Sequence, residues 1–234
     1  MDGSGDPFVP LITTDTDKRV RDWILGTATA TRFNMDATSS SSLQWPKECL
    51  NLYSPVRVIG KGGFGNVYMA KKCNTISSNS SSSGETHVAI KVVGNDLYSQ
   101  REVAILSELS QTPHANIVTL IDDFKDDNDD GAGQHLVVMS LHRGPTLHYI
   151  LDKGGSLGFK IAQSISKQLI DAIAYLHGHA VIHRDIHPAN LIISGASLDD
   201  DLWWSDDYDS GGKLQAMVKK CHVTLIDFGF ARGE

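Results

Sequence analysis

Short runs of β-branched and apolar residues, each closed off by Gly, Asn, Asp or Ser, mark much of the chain: Val56 to Ile59, Val67 to Ala70, Val88 to Val93, Ile117 to Phe124 and Leu136 to Met139. Such residues fit a pleated, half-buried backbone, so the five runs predict strands of a small, mostly antiparallel sheet. Between the third and fourth runs, Arg101 to Leu109 places Val103 and Leu106 on one helical face. A longer periodicity follows. From Phe159 to His177, Ile161, Ile165, Leu169, Ile173 and Leu176 recur every three or four residues, the spacing of an amphipathic helix facing a core. Strands first and helix later predict an α+β chain with a sheet-rich first lobe and a helical second one.

Three polar segments interrupt this pattern. Residues 1 to about 45 carry few large apolar side chains and cannot bury enough surface to offset chain ordering, so a disordered extension is expected there. The patch Trp23-Ile24-Leu25 within it reads as a transient apolar cluster rather than a docked anchor. Ser77 to Gly84 lies between strand-like Val67 to Lys72 and His87 to Val93 and predicts a flexible hairpin loop. The third segment, Gly195 to Lys213, sets Asp199-Asp200-Asp201 and Asp206-Asp207 around Trp203-Trp204. It reads first as a solvated acidic loop; the alternative is a docking site for a basic partner, with the tryptophans as anchors.

Composition narrows the class. With 41% hydrophobic and 21% charged residues over 234 positions, the chain suits one globular domain or two small lobes. A net charge of -7 argues against binding nucleic acid, whose phosphates are held by clustered Lys and Arg. Cys49, Cys73 and Cys221 are scattered, with no pairing that suggests zinc or a disulfide framework, as expected in a reducing compartment. Met1 to Pro10 lacks the basic and apolar regions of a secretory signal. Nor is there an apolar run of about 18 residues that could span a bilayer. The expectation is an intracellular, cytoplasmic protein.

Candidate chemistry begins at Gly60-Lys61-Gly62-Gly63-Phe64-Gly65, closed by Val67 between two predicted strands. Glycines there let backbone amides approach phosphate oxygens without a Cβ in the way. A dinucleotide fold would need a helix after the glycines, and a phosphate loop of the Walker type would need Lys-Ser or Lys-Thr; neither follows. Val88-Ala89-Ile90-Lys91 then sets a lysine in an apolar strand. Such a lysine points outward from an edge strand, or it is buried and paired, with Glu102 on the next helix as the available carboxylate.

After the long helix come Val181-Ile182-His183-Arg184-Asp185-Ile186-His187-Pro188-Ala189-Asn190-Leu191 and Leu225-Ile226-Asp227-Phe228-Gly229. His-Arg-Asp with Asn five positions after the Asp, then Asp-Phe-Gly, downstream of a glycine loop and a strand lysine, resembles the eukaryotic protein kinase family from about Tyr53 to Gly233. The resemblance implies a bilobal fold, with a five-stranded antiparallel sheet and one helix at about 53–140 and a helical lobe from about 141, within a domain spanning 46–234. It also implies ATP and Mg2+ as cofactors and a protein hydroxyl as acceptor, by positioning and charge neutralisation. Gly60, Gly62 and Gly65 would lid the phosphates; Val67 and Ala89 would contact adenine. Ile59, Lys61, Gly63, Phe64 and Ile192 would complete the nucleotide site, with Met139 at its back and Leu141 offering backbone groups to the base. Lys91 tied to Glu102 would orient the α and β phosphates. Asp227 and Asn190 would hold magnesium, and Asp185 would receive the acceptor's proton. Phe228, His183, Leu106 and Leu120 fall where the family stacks an apolar column between lobes.

Three departures bear on activity. His187 stands where serine/threonine kinases usually carry a phosphate-neutralising lysine, which implies slow or acceptor-shifted transfer. The segment Gly195 to Lys213 lengthens what should be a short hairpin. After Gly229 only Phe230-Ala231-Arg232-Gly233-Glu234 follow, so the resemblance implies a truncated helical lobe, an open apolar stripe on the long helix and an inactive isolated fragment. A serine/threonine kinase is the expected parent enzyme; the alternative is a pseudokinase-like module that binds nucleotide or a partner without turnover. His183-Arg184-Asp185 together with Asp227-Phe228-Gly229 argues against a small-molecule kinase of related fold. The protein substrate and oligomeric state are not legible.

Overall fold

Six consecutive residues, Val88 to Val93, are buried. A strand achieves that only when both of its faces are covered. In the computed structural model, which describes residues 45–62, 65–73, 86–126, 133–195, 201–204 and 212–233, this strand is central. β1 (Tyr53–Gly62), β2 (Gly65–Lys72), β3 (His87–Gly94), β4 (Leu120–Asp126) and β5 (Gln134–Ser140) form one antiparallel sheet in the order β1-β2-β3-β5-β4. Lys91 therefore does not lie on an edge strand. The run expected from Ile117 becomes sheet only at Leu120, because Ile117 bridges Leu225 and the Val118 N–H donates to the Leu225 carbonyl at 3.0 Å.

One face of the sheet packs Ala70, Val88, Ile90, Val92, Leu136 and Val138 against Trp45, Cys49 and Tyr53. The short helix α1 (Lys47–Leu52) brings Cys49 there, and Trp45 meets Tyr68 edge to face at 5.5 Å. Packing thus begins at least eight residues before Tyr53, where the kinase-like motifs were expected to start; the disorder expected of residues 1–44, Trp23-Ile24-Leu25 included, falls outside the described residues, as does the Ser77 to Gly84 loop.

Cross-strand partners share a face, and the register Val67↔Lys91↔Val137 with Ala89↔Met139 puts these five side chains on the other one. The helix α2 (Leu97–Leu109) buries Ile105, Leu106 and Leu109. It starts four residues before the apolar periodicity does, because Asp96 and Ser99 form a reciprocal capping box, worth about 1 kcal/mol.

The second lobe contains α3 (Leu147–Gly154), α4 (Phe159–Gly178), and the hairpin-like pairs β6 (Val181–Ile182) with β9 (Arg232–Gly233) and β7 (Leu191–Ser194) with β8 (His222–Leu225). Between β7 and β8 the chain forms a helix, α5 (Lys213–Lys220), burying Leu214 and Met217. The expected open stripe on α4 is instead largely covered: Ile161, Ile165, Ala172 and Leu176 are buried, with β6, β8 and α5 packed against the helix, while Phe159 and Ile170 remain exposed. Trp203, 1% exposed, is a core residue whose carbonyl accepts the Gly158 N–H at 2.9 Å. For Trp203 this overturns both readings, as part of a solvated loop and as a docking anchor. Of its acidic runs, Asp199, Asp200, Asp206 and Asp207 lie outside the described residues. No helix among the described residues is long and apolar enough to cross a membrane.

Candidate active site

Lys91 sits on the α2-facing side of β3, and Glu102 comes down from the second turn of α2 to meet it. The Lys91 ammonium is 2.8 Å from both Glu102 oxygens and 2.8 Å from Asp227 Oδ1. Lys91 and Glu102 are 6% and 2% exposed, so neither could stay charged there unpaired. Burial pulls the Lys91 pKa down, but Glu102 and Asp227 push it further up, and the group is held as ammonium. Burial, with the nearby Asp227 carboxylate, raises the Glu102 pKa beyond what Lys91 and the Phe228 backbone take back. For Asp227 the balance is reversed: burial raises its pKa, yet Lys91 and the Gly229 N–H at 3.3 Å bring it below the ordinary carboxylate value.

The catalytic-loop motif follows β6 in a backbone that ordinary residues avoid. Arg184 and Asp227 have φ of 65° and 63°, left-handed conformations costing about 1–3 kcal/mol each in non-glycine residues and concentrated at functional sites. Arg184 is tied down by its Nε–H, which donates to the Phe230 carbonyl at 2.7 Å. His183 is buried. Its Nε2–H donates to the Ile226 carbonyl at 3.1 Å, and its Nδ1 accepts the Asp185 N–H at 3.3 Å. Burial lowers its pKa beyond what the Ile226 carbonyl and the nearby Asp227 and Asp185 restore, which keeps the ring neutral and this tautomer intact. Its edge-to-face partner is Phe228, at 4.7 Å and 68°. Phe228 and Leu106 are fully buried, and Leu120 is half-buried.

Asn190 closes the loop. Its Nδ2 donates to the Asp185 carbonyl and to Asp185 Oδ2, both at 3.0 Å, and its own carbonyl accepts the Ile226 N–H at 3.0 Å. His187 caps the 3₁₀ turn Pro188–Asn190: Nδ1 accepts the Ala189 N–H at 3.2 Å, leaving Nε2 3.5 Å from Asp185 Oδ2. With its amide nitrogen committed to Asp185, Asn190 has Oδ1 to offer, and Asp227 has Oδ2. Two hard oxygen donors beside an open cleft fit magnesium, which takes its other ligands from phosphate and water.

Of the expected nucleotide contacts, Val67, Ala89 and Met139 stand on the same sheet face as Lys91, with Ala89 directly opposite Met139. Ile59, Gly60 and Lys61 lie in β1, where Gly60 pairs with Val67, and Leu141 and Ile192 are half-buried after β5 and in β7. Gly62 pairs with Gly65 at the hairpin tip; Gly63 and Phe64 lie outside the described residues. Gly65 has φ of +142°, and a Cβ there would collide with the Val92 carbonyl. One group escaped the sequence reading. His142, just past β5, bridges Ser140 Oγ at 2.9 Å and Thr224 Oγ1 at 3.0 Å, while Ser140 Oγ accepts the Thr119 N–H at 3.0 Å. Nothing local marks it, since its partner on β8 is 82 residues away.

The protein kinase domain family matches residues 53–233, the span that carries this geometry. The chain belongs to the protein kinase family. This kinase is 31% identical over 187 residues to serine/threonine-protein kinase TIO of Arabidopsis thaliana, covering 77% of this chain and 11% of that protein. It is 33% identical over 192 residues to the probable serine/threonine-protein kinase zyg-1 of Caenorhabditis elegans, covering 79% and 22%, and 30% identical over 187 residues to mouse serine/threonine-protein kinase 36, covering 77% and 11%. The kinase chain thus spans about a tenth to a fifth of the length of these relatives.

Proposed function

We propose that this protein transfers the γ-phosphate of ATP to a serine or threonine hydroxyl of a protein substrate. The observation that carries the reading is the Lys91 ammonium held between Glu102 and Asp227, each at 2.8 Å, with the Asp185–Asn190 pair on the adjoining loop. Fixed between two carboxylates, Lys91 presents its charge at one place in the cleft, where it orients the α and β phosphates. Glycines 60, 62 and 65 bring backbone N–H groups over the phosphates, with Lys61, Gly63 and Phe64 completing that loop, and Ile59, Val67, Ala89, Met139, Leu141 and Ile192 sandwich the adenine. Asp227 and Asn190 would hold magnesium, which would supply neutralisation of the developing phosphate charge. Asp185 Oδ2 is occupied by Asn190, which leaves Oδ1 to align the acceptor hydroxyl and take its proton as the new O–P bond forms. The names of the relatives, all serine/threonine kinases, support the choice of acceptor.

His187 bears on the rate. Its imidazole leans on Asp185 and is shorter than the lysine it replaces, so the transferring phosphate lacks one charge-assisted contact. Turnover is correspondingly slow. The thiols suit an intracellular site: Cys49 and Cys221 are free and buried, their pKa values raised by burial, for Cys49 with help from Asp122, to about 12 and about 11.

Magnesium-dependent ATP binding, read by thermal shift, and transfer of labelled phosphate to a protein acceptor test the reading. Binding and transfer are expected, the latter abolished in Asp185→Asn. Binding without transfer would favour a nucleotide-binding module instead, and no nucleotide-dependent shift would reject both.

A further inference from the structure

The helix that carries Glu102 is held unevenly. Its apolar anchors, Ile105, Leu106 and Leu109, all lie in the C-terminal half. In the first turn Leu97 and Tyr98 are 75% and 59% exposed, and a cavity of about 260 Å³ runs beside it, bordered by Lys91, Val93, Asp96, Ser99 and Glu102. Ser99 is the buried residue of that turn, and it touches the sheet through His135. Asp123 on β4 and His135 on β5 lie on the sheet face that carries Lys91, as the register Lys91↔Val137↔Asp123 requires. Fully buried His135 places Nε2 2.9 Å from Asp123 Oδ2 and Nδ1 3.4 Å from Ser99 Oγ. A carboxylate only accepts, so Nε2 carries a hydrogen. Ser99 Oγ also accepts the Asp96 N–H at 3.1 Å, and its single hydrogen is shared between the Asp96 carbonyl at 3.0 Å and His135 Nδ1, so one hydroxyl serves both the helix cap and the imidazole. Glu102 follows Ser99 by three residues, one turn along the same face.

We propose that Asp123, His135 and Ser99 form a polar tether that positions Glu102 against Lys91, with His135 as the positioning residue. This rests on the reading that the Lys91–Glu102 pair orients ATP. Packing alone would hold the far end of α2 and leave its first half free to swing across the cavity. The tether fixes that half, and the ion pair inherits its geometry.

His135→Leu tests this, because it keeps the site buried and leaves the Asp96–Ser99 capping box intact. Expected are a melting temperature within a few degrees of wild type, a phosphate-transfer rate down about 10-fold, and no further loss when His135→Leu is added to Glu102→Gln. Ser99→Thr, which retains the hydroxyl, should behave as wild type. Wild-type rates in His135→Leu, or losses that add in full to those of Glu102→Gln, would overturn the tether. If His135→Leu does not fold, Asp123→Ala, which also spares the capping box, replaces it in the same cycle, with the same outcomes deciding. If the wild-type protein itself neither binds ATP nor transfers phosphate, the functional reading has failed. Amide exchange over residues 98–103 then decides the tether: faster exchange in His135→Leu supports it, and unchanged exchange rejects it.

Discussion

The Lys91 ammonium lies 2.8 Å from Asp227 Oδ1, although the two residues are 136 positions apart in the chain. Lys91 belongs to the central strand of the sheet, and Asp227 follows β8 of the second lobe. Their contact joins the two lobes at the point where Glu102 also arrives. Three groups from three elements therefore share one charge, and the site can exist only when the strand, the helix and the second lobe are all in place.

Glu102 is the most informative single change at this junction. Glu102→Gln keeps the shape and removes the charge, weakening a charge-assisted hydrogen bond of about 1.5–3 kcal/mol. Phosphate transfer should fall roughly 10- to 100-fold, with the protein still folded. Steady-state transfer assays beside circular dichroism check both halves of the statement.

Phe228 has its ring fully buried against His183. Truncation in Phe228→Ala leaves a cavity as well as losing apolar burial, and should destabilise the fold by about 3–5 kcal/mol. Urea unfolding of wild type and variant measures it; a loss below 1 kcal/mol would mean that this contact is not part of the core.

At Gly65 any side chain meets the Val92 carbonyl, and φ lies at +142°. Gly65→Ala should therefore break the β2–β3 pairing beside Lys91, weakening ATP binding at least 10-fold. Gly94, where an added Cβ meets nothing within 4 Å, is the matched control, and Gly94→Ala should leave ATP affinity unchanged in calorimetric titration.

His142 makes stability depend on pH. Burial, reinforced by His222, lowers its folded pKa below the ordinary value. The unfolded chain then takes up a proton first as pH falls, so the stabilisation is complete above about pH 6.5 and is lost progressively below it. His142→Gln, which can still hydrogen-bond Ser140 and Thr224, should flatten the decline between pH 7 and 5, leaving the part due to His183, whose pKa is also lowered by burial. Urea midpoints across that range test it, and parallel declines would count against His142.

Restoring a cation at position 187 should quicken transfer. His187→Lys adds a charge-assisted contact of about 1.5–3 kcal/mol to the phosphate, a gain of roughly 10- to 100-fold. An unchanged rate in the transfer assay would reject a phosphate role for this position and leave His187 as the cap of the 3₁₀ turn.

Order and spacing along the chain were enough to determine the α+β class, the five strands of the first sheet to within a few residues, and the long helix at 159–178. Asp185, Asn190 and Asp227 could be picked out there as candidates because each lies in a short motif, and Glu102 as the carboxylate available to Lys91. Tertiary structure decided the rest. Lys91 could not be told from an edge lysine until the strand order placed β3 in the middle, and Trp203, set beside an acidic run, looked like a surface residue although it is buried. The packing of α1 and Trp45, the bridge from His142 to Thr224 and the tether from Asp123 through His135 to Ser99 leave no local signature. Each is a contact between elements remote in sequence, and neither side-chain periodicity nor backbone propensity encodes which remote partner a buried polar group will find.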